Sequence, residues 1–138
     1  MTIAASEEPV FTFDRFIPGT SLGSVVQRVE PALLEGWSAI YTPTATQQNT
    51  PAIGLMSLLA MRAYLRIISP RPPGNIHAGQ FLKASHPLSV GQTLRITVTC
   101  QDKELKGHRR FVVLAVRADD VTDEQEIFNA RMTMLWAV

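Results

Sequence analysis

The run from Thr50 to Ile68 constrains this chain more than any other feature. Thr50 suits the N-cap of a helix and Pro51 suits its first position, where the missing N–H costs nothing. The helix predicted from Pro51 to Ile68 carries Ile53, Leu55, Met56, Leu58, Leu59, Met61, Tyr64, Leu65, Ile67 and Ile68. These residues occupy nearly every face, and a helix apolar almost all round is buried on most sides. Arg62 and Arg66, four residues apart, share its one polar stripe. The segment is too short, and too charged near its end, to cross a bilayer. Ser69-Pro70-Arg71-Pro72-Pro73-Gly74 then forbids its continuation. Such a helix needs a partner that wraps around it.

The rest of the sequence supplies that partner. Leu22 to Val29 reads as a strand after the turn Pro18-Gly19-Thr20, and Pro31 opens a short helix to about Tyr41. Leu33, Leu34, Trp37 and Ile40 share one face of that helix. The uncharged polar segment Thr42 to Thr50 reads as a loop. After the prolines the period becomes two. Asn75 to His86 is predicted as a strand, Pro87 to Gly91 as a turn, and Thr93 to Cys100 as a strand with Leu94, Ile96, Val98 and Cys100 on one face. Asp102 to His108 reads as a charged hairpin loop. Arg109 to Ala118 reads as a central strand covered on both faces. Asp119 to Glu124 turns the chain into a last strand, Ile127 to Val138. The sum is an α+β architecture in which a curved antiparallel β-sheet wraps around a long central α-helix.

Composition excludes several classes. At 138 residues, 46% hydrophobic and 18% charged, the chain predicts one globular domain over residues 1–138. A net charge of +1, without a stripe of cations and aromatics, gives no nucleic-acid footprint. Residues 1–9 read as a frayed acidic lead-in and not as a signal peptide, so a cytoplasmic protein with no membrane partner is expected. Cys100 is alone and lies in a strand, which predicts a buried, inert thiol and no metal site.

Three segments carry a family resemblance. Pro51-Ala52-Ile53-Gly54-Leu55-Met56-Ser57-Leu58 looks like a central helix start with its glycine. His86-Pro87-Leu88-Ser89-Val90-Gly91-Gln92-Thr93-Leu94 looks like the proline, apolar residue, glycine and leucine turn between two strands. Met132-Thr133-Met134-Leu135-Trp136 suits the last strand. Together with the element order, these resemble the MaoC-like dehydratases and hydratases of the hotdog fold, over about Ser21 to Val138. The resemblance implies an acyl thioester on coenzyme A or a carrier protein as ligand, and no resident cofactor. It implies a dimer or higher oligomer with sheets joined edge to edge and a ligand tunnel between subunits. A hetero-oligomer with a catalytic hotdog subunit is also compatible with it. In active relatives an Asp and a His precede the central helix. Here Gly36-Trp37-Ser38 lacks the Asp, and Thr42 to Thr50 holds neither.

That departure is part of a larger one: no Asp or Glu occurs from Gly36 to Gln101, although both flanks are acidic. The stretch keeps Arg62, Arg66, Arg71, Lys83 and Arg95, with His77 and His86. Adding water to an enoyl thioester needs a group to activate water, a group to handle the α-proton, and donors for the enolate oxygen. The first turn of the long helix, at Ile53 and Gly54, offers free N–H groups, and Gly54 either admits the thioester carbonyl or permits helix packing. His77, in Gly74-Asn75-Ile76-His77-Ala78-Gly79, is the candidate acid or base, with a solvent-facing strand histidine as the alternative. Asn49 is a second catalytic candidate. Gln48 (with Gln47) and Tyr41 are candidates for orienting the ligand, against ordinary loop solvation and packing. Tyr64 reads as core with its hydroxyl at the surface. His86 reads as structural and His108 as exposed. Lys103, Lys106, Arg109 and Arg110 either meet coenzyme A phosphates or form a solvated hairpin. The competing functions are therefore a MaoC-like enzyme with an altered site, a non-catalytic acyl-thioester-binding subunit, and a hotdog thioesterase. The last would want a carboxylate near the helix.

Overall fold

In a computed structural model of the chain, which describes residues 9–40 and 51–138, the long helix α2 (Pro51–Ile67) lies across one face of an antiparallel sheet. The sheet contains β1 (Ser21–Arg28), β2 (Ile76–Ala84), β3 (Thr93–Lys106), β4 (Arg109–Asp120) and β5 (Glu126–Trp136) in the order β1-β3-β4-β5-β2. A short helix α1 (Pro31–Ile40) precedes α2. The expected loop at Thr42 to Thr50, with the N-cap at Thr50, lies outside the described residues, as does most of the lead-in.

The sheet's inner face is the one the alternation predicts. Leu94, Ile96, Val98 and Cys100 of β3, Val112, Leu114, Val116 and Ala118 of β4, and Phe128, Ala130, Met132, Met134 and Trp136 of β5 are all buried. Against them α2 buries a stripe two residues wide: Leu55 and Met56, Leu59 and Ala60, Ala63 and Tyr64. Ile68 closes the stripe just past the helix end. Gly23 lets β1 pass close beneath this same end of α2. Its φ is +145°, and a Cβ there would sit 3.1 Å from Ile67 Cγ2. Among the described residues, no helix is long and apolar enough to cross a membrane.

Three expectations need correction. The segment Asp102 to His108 is not a loop, because β3 and β4 pair on to Lys106 and Arg109 with only Gly107 and His108 between them. Alternating charges hid a strand end that extends into solvent. The turn expected within Pro87 to Gly91 is present, with Gln92 N–H on the Ser89 carbonyl, but the strands it joins are not neighbours, because β2 pairs with β5 and not with β3. The connection crosses one end of the sheet. It leaves with Ser85 and His86 N–H groups on the Ile127 carbonyl and arrives with Gly91 N–H on the Val29 carbonyl. Finally, β4 is central, but only its inner face is fully buried. Phe111, Val113 and Ala115 on the outer face are half-buried.

A strap ahead of β1 completes the core, and its apolar residues lacked the periodicity that would have announced it. A short 3-10 turn spans Phe13–Arg15, and Phe16 is fully buried behind it. The Phe16 ring meets Trp136 edge-on at 4.8 Å and Phe11 at 4.7 Å between centroids. Trp136 Nε1 donates to the Phe11 carbonyl at 2.7 Å, and Phe13 N–H to the Val138 carbonyl at 2.8 Å. Phe16→Ala should therefore cost about 3–5 kcal/mol, the usual cost of deleting a buried phenyl ring. Urea unfolding would read it as a lower midpoint, and a loss below about 1 kcal/mol would mean that the strap is not part of the core.

Candidate functional site

One flank of α2 is not covered by the sheet. Ile53 is 46% exposed and Leu65 43% exposed, with Leu58 and Met61 half-buried between them. The rest of the described helix is buried or half-buried, as expected, apart from Arg62 and Arg66 on its polar stripe. The uncovered flank runs beside β2, which is an edge strand in the described fold. Gln80 Nε2 donates to Ser57 Oγ at 2.6 Å and pins the strand to the helix.

A backbone irregularity decides where His77 points. The β2–β5 register shifts between His77 and Gly79, so Ala78 is an extra, unpaired residue. Gln80 and Leu82 face inward opposite Met132 and Ala130. Strict alternation from Gln80 would put His77 on the outer face with Phe81. The bulge reverses that, and His77 lies on the helix side opposite Met134, where it remains solvent-exposed at the sheet edge. Phe81 stays outside, under the Arg131 guanidinium at 5.7 Å.

His77 lines a cavity of about 270 Å³ with Met61, Tyr64, Leu65, Arg71 and Asn75. Arg71 is anchored there: its Nη1 donates to the Leu65 carbonyl at 2.6 Å and the Ile68 carbonyl at 2.8 Å, satisfying the last turn of α2. The same guanidinium lies 5.6 Å from the Tyr64 ring centre. Burial pushes the Tyr64 phenol up from its ordinary pKa, against a smaller downward pull from Arg71. Asn75 Oδ1 accepts the Ala137 N–H at 2.8 Å, while its Nδ2 is buried and has no partner among the described residues.

The other candidates fall elsewhere. Met61 and Leu65, which share the cavity with His77, lie seven and eleven residues beyond Gly54, about 10–16 Å along the helix axis. Within one chain, then, Ile53 and Gly54 do not share the cavity of His77. A Cβ on Gly54 would collide with the indole of Trp37, 2.8 Å from Cη2, so the packing role read for this glycine is present in the structure. Tyr41, Gln47, Gln48 and Asn49 lie outside the described residues. His86 is structural, its Nδ1 donating to the Glu126 carbonyl at 2.7 Å, and His108 is exposed in the β3–β4 turn.

The four hairpin cations do not converge. Lys103 donates to the Phe13 carbonyl at 3.2 Å and Arg110 to the Ala137 carbonyl at 3.1 Å, while Lys106 pairs with Glu104 at 3.5 Å. Cys100 is buried and burial raises its pKa, as expected of an inert thiol. No group of metal-ligating side chains occurs among the described residues. Asn75, the bulge at Ala78 and the anchoring of Arg71 went unread. Asn75 follows Pro-Pro-Gly and resembles any turn residue, and nothing in an alternation announces a bulge.

No protein-family model and no curated protein matches this sequence. Solved structures do. A MaoC-like dehydratase from Rhodospirillum rubrum superposes with a TM-score of 0.75 at 16% identity, covering 93% of this chain and 98% of that one. The R-hydratase PhaJ1 from Pseudomonas aeruginosa gives 0.71 at 15%, over 91% and 84%. The C-terminally truncated 3R-hydroxyacyl-ACP dehydratase complex HadBC from Mycobacterium tuberculosis gives 0.64 at 12%, over 84% and 98%. The chain has the hotdog fold, and the resemblance to MaoC-like dehydratases and hydratases read from its sequence is borne out in the structure.

The Gly54–Trp37 contact yields a measurable expectation. Alanine ordinarily stabilises a helix by about 1 kcal/mol over glycine. Here Gly54→Ala should instead lower stability by about 1–3 kcal/mol, because the methyl group meets the indole. In a Trp37→Ala background the same change should be neutral or stabilising. Equal effects in both backgrounds would show that the indole does not occupy this space in solution.

Proposed function

We propose that this chain binds an acyl thioester, on coenzyme A or a carrier protein, in the cavity between α2 and β2, and that it does so as a two-fold dimer. The observation that carries this reading is the bulge at Ala78, which turns His77 from the outer face into a cavity along the open apolar flank of α2. Small-molecule sites combine apolar walls with a few convergent polar groups in this way. A flank with Ile53 and Leu65 exposed, next to an edge strand with Ile76 57% and Phe81 55% exposed, favours a second copy as its cover. Strand numbers fall as helix numbers rise: Gln80 touches Ser57, and His77 shares the cavity of Met61 and Leu65. Pairing β2 with its copy about Gln80 would therefore bring the partner's helix start toward His77. The N–H donors and the imidazole, separate within one chain, would then meet in one site.

If the chain turns over, it acts as a MaoC-like hydratase or dehydratase with an altered site and His77 as the proton-transfer group. A second reading is a non-catalytic subunit that shapes the acyl tunnel beside a catalytic hotdog partner. It is favoured by the lack of any carboxylate from Gly36 to Gln101. HadBC, a dehydratase complex, has the same fold. A thioesterase is disfavoured by the same missing carboxylate.

Light scattering should find a dimer at micromolar concentration, and Leu65→Glu should shift it to monomer. Calorimetry should detect binding of at least one acyl-coenzyme A, and binding of none by folded protein would overturn the proposal. Hydration of a short enoyl thioester should be slow, and His77→Ala should lower kcat by about 100-fold or more at unchanged stability. Binding without turnover would select the subunit reading, and fast hydration undiminished in His77→Ala would exclude both.

A further inference from the structure

Arg62 and Arg66, the cations of the polar stripe of α2, stand one turn apart, about 6 Å along the helix axis. Both line a cavity of about 170 Å³ between α2 and β1, on the flank of the helix away from β2. Val25, Leu59 and Ile96 supply its apolar wall, and no acidic side chain lines it. Its third polar group is Gln27, whose Nε2 donates to the Arg28 carbonyl at 2.8 Å. The charge that the cavity prefers is therefore set by the two guanidiniums.

Most other cations of the chain are engaged. Arg28, Lys106 and Arg117 pair with carboxylates, while Arg71, Lys103 and Arg110 donate to backbone carbonyls. Among the described residues, Arg62 and Arg66 have no hydrogen-bond or ion-pair partner. Like charges at this spacing repel and weaken a helix. A guanidinium only donates, in a planar fork, and stays charged at any ordinary pH. Two forks at one cavity call for several acceptor oxygens and more than one negative charge. A carboxylate offers two oxygens and one charge, whereas a phosphate monoester offers three and nearly two. We propose that this cavity binds a phosphate group bridged between Arg62 and Arg66. The bridge turns a repulsive pair into a clamp. The site is separate from the His77 cavity and does not depend on the thioester reading.

Inorganic pyrophosphate is the probe, titrated by calorimetry into the full chain at about 0.1 M salt, where distant surface charges are screened. The wild type should bind with a Kd below about 1 mM. Arg62→Gln and Arg66→Gln should each weaken binding by about tenfold. Glutamine matches arginine in helix propensity, so circular dichroism should not change. Arg95→Gln removes the same charge from an exposed position between the inward-facing Leu94 and Ile96, and it should leave binding intact. Coenzyme A that displaces pyrophosphate would identify the ligand as a phosphate of coenzyme A, and failure to displace it would assign the site to another phosphate compound. Either result upholds the site. No binding by the wild type would overturn the proposal. An equal loss in Arg95→Gln would overturn it too, as a response to net charge alone. So would binding that survives in the folded Arg62→Gln, Arg66→Gln double variant. If that variant does not fold, the wild-type Nε–H resonances of Arg62 and Arg66 decide. Both should shift with pyrophosphate, and absent shifts would overturn the assignment.

Discussion

The stripe of α2 formed by Leu55, Met56, Leu59, Ala60, Ala63 and Tyr64 has to be kept from water, and the sheet's inner face is what does so. Burial of this kind stabilises by about 25 cal/mol per Å² of apolar surface, so the six side chains together outweigh a single bond such as Gln80 to Ser57, which contributes about 1 kcal/mol. Close approach then depends on small residues. Ala60 and Ala63 lie within the stripe, Gly23 lets β1 pass Ile67, and Gly54 receives the Trp37 ring of α1. The strap through Phe16 closes the end of the core near Trp136. Covering one stripe leaves another, and the open flank from Ile53 to Leu65 is the direct result of a single sheet meeting a helix with more apolar surface than it can cover.

How much of this was legible depended on whether a feature repeats along the chain. Helix α2, its proline-rich end and the inner faces of β3, β4 and β5 follow from periodicity. So does the wrapping sheet, because no other partner suits such a helix. The strand order does not follow from it. Nothing local in Pro87 to Gly91 says that the chain crosses to the far side of β5 and β4. The hairpin at Asp102 to His108 misled because strand pairing there is held by backbone bonds while charged side chains point to solvent. The uncovered flank of α2 was unreadable for a different reason. Periodicity reports which residues are apolar, not which of them a single sheet can reach.

The candidate site was legible residue by residue but not as an arrangement. His77 was singled out from its small neighbours, and those neighbours matter in a way alternation conceals: Ala78 is the bulged residue that turns the imidazole inward. The pairing of His77 with Gly54 in one place presumed a proximity that a single chain does not have. Asn75 was passed over because an asparagine after glycine is ordinarily a turn residue. Its importance comes from a backbone N–H at Ala137, far away in sequence, that takes its oxygen and leaves its nitrogen buried without a partner among the described residues.

The absence of acids from Gly36 to Gln101 and the carboxylate-free His77 cavity are one constraint seen at two scales. A carboxylate on the cavity wall would pair with Arg71. Charge-assisted hydrogen bonds are about twice as strong as neutral ones, so such an internal pair would compete directly with ligand. Excluding acids keeps the donors available, and it has a chemical consequence. A cavity without carboxylates supplies no carboxylate base of its own. On the proposed thioester-binding reading, proton transfer there would fall to His77 or to a carboxylate from another subunit, so the acid-free stretch limits what the chain could do to a thioester unaided.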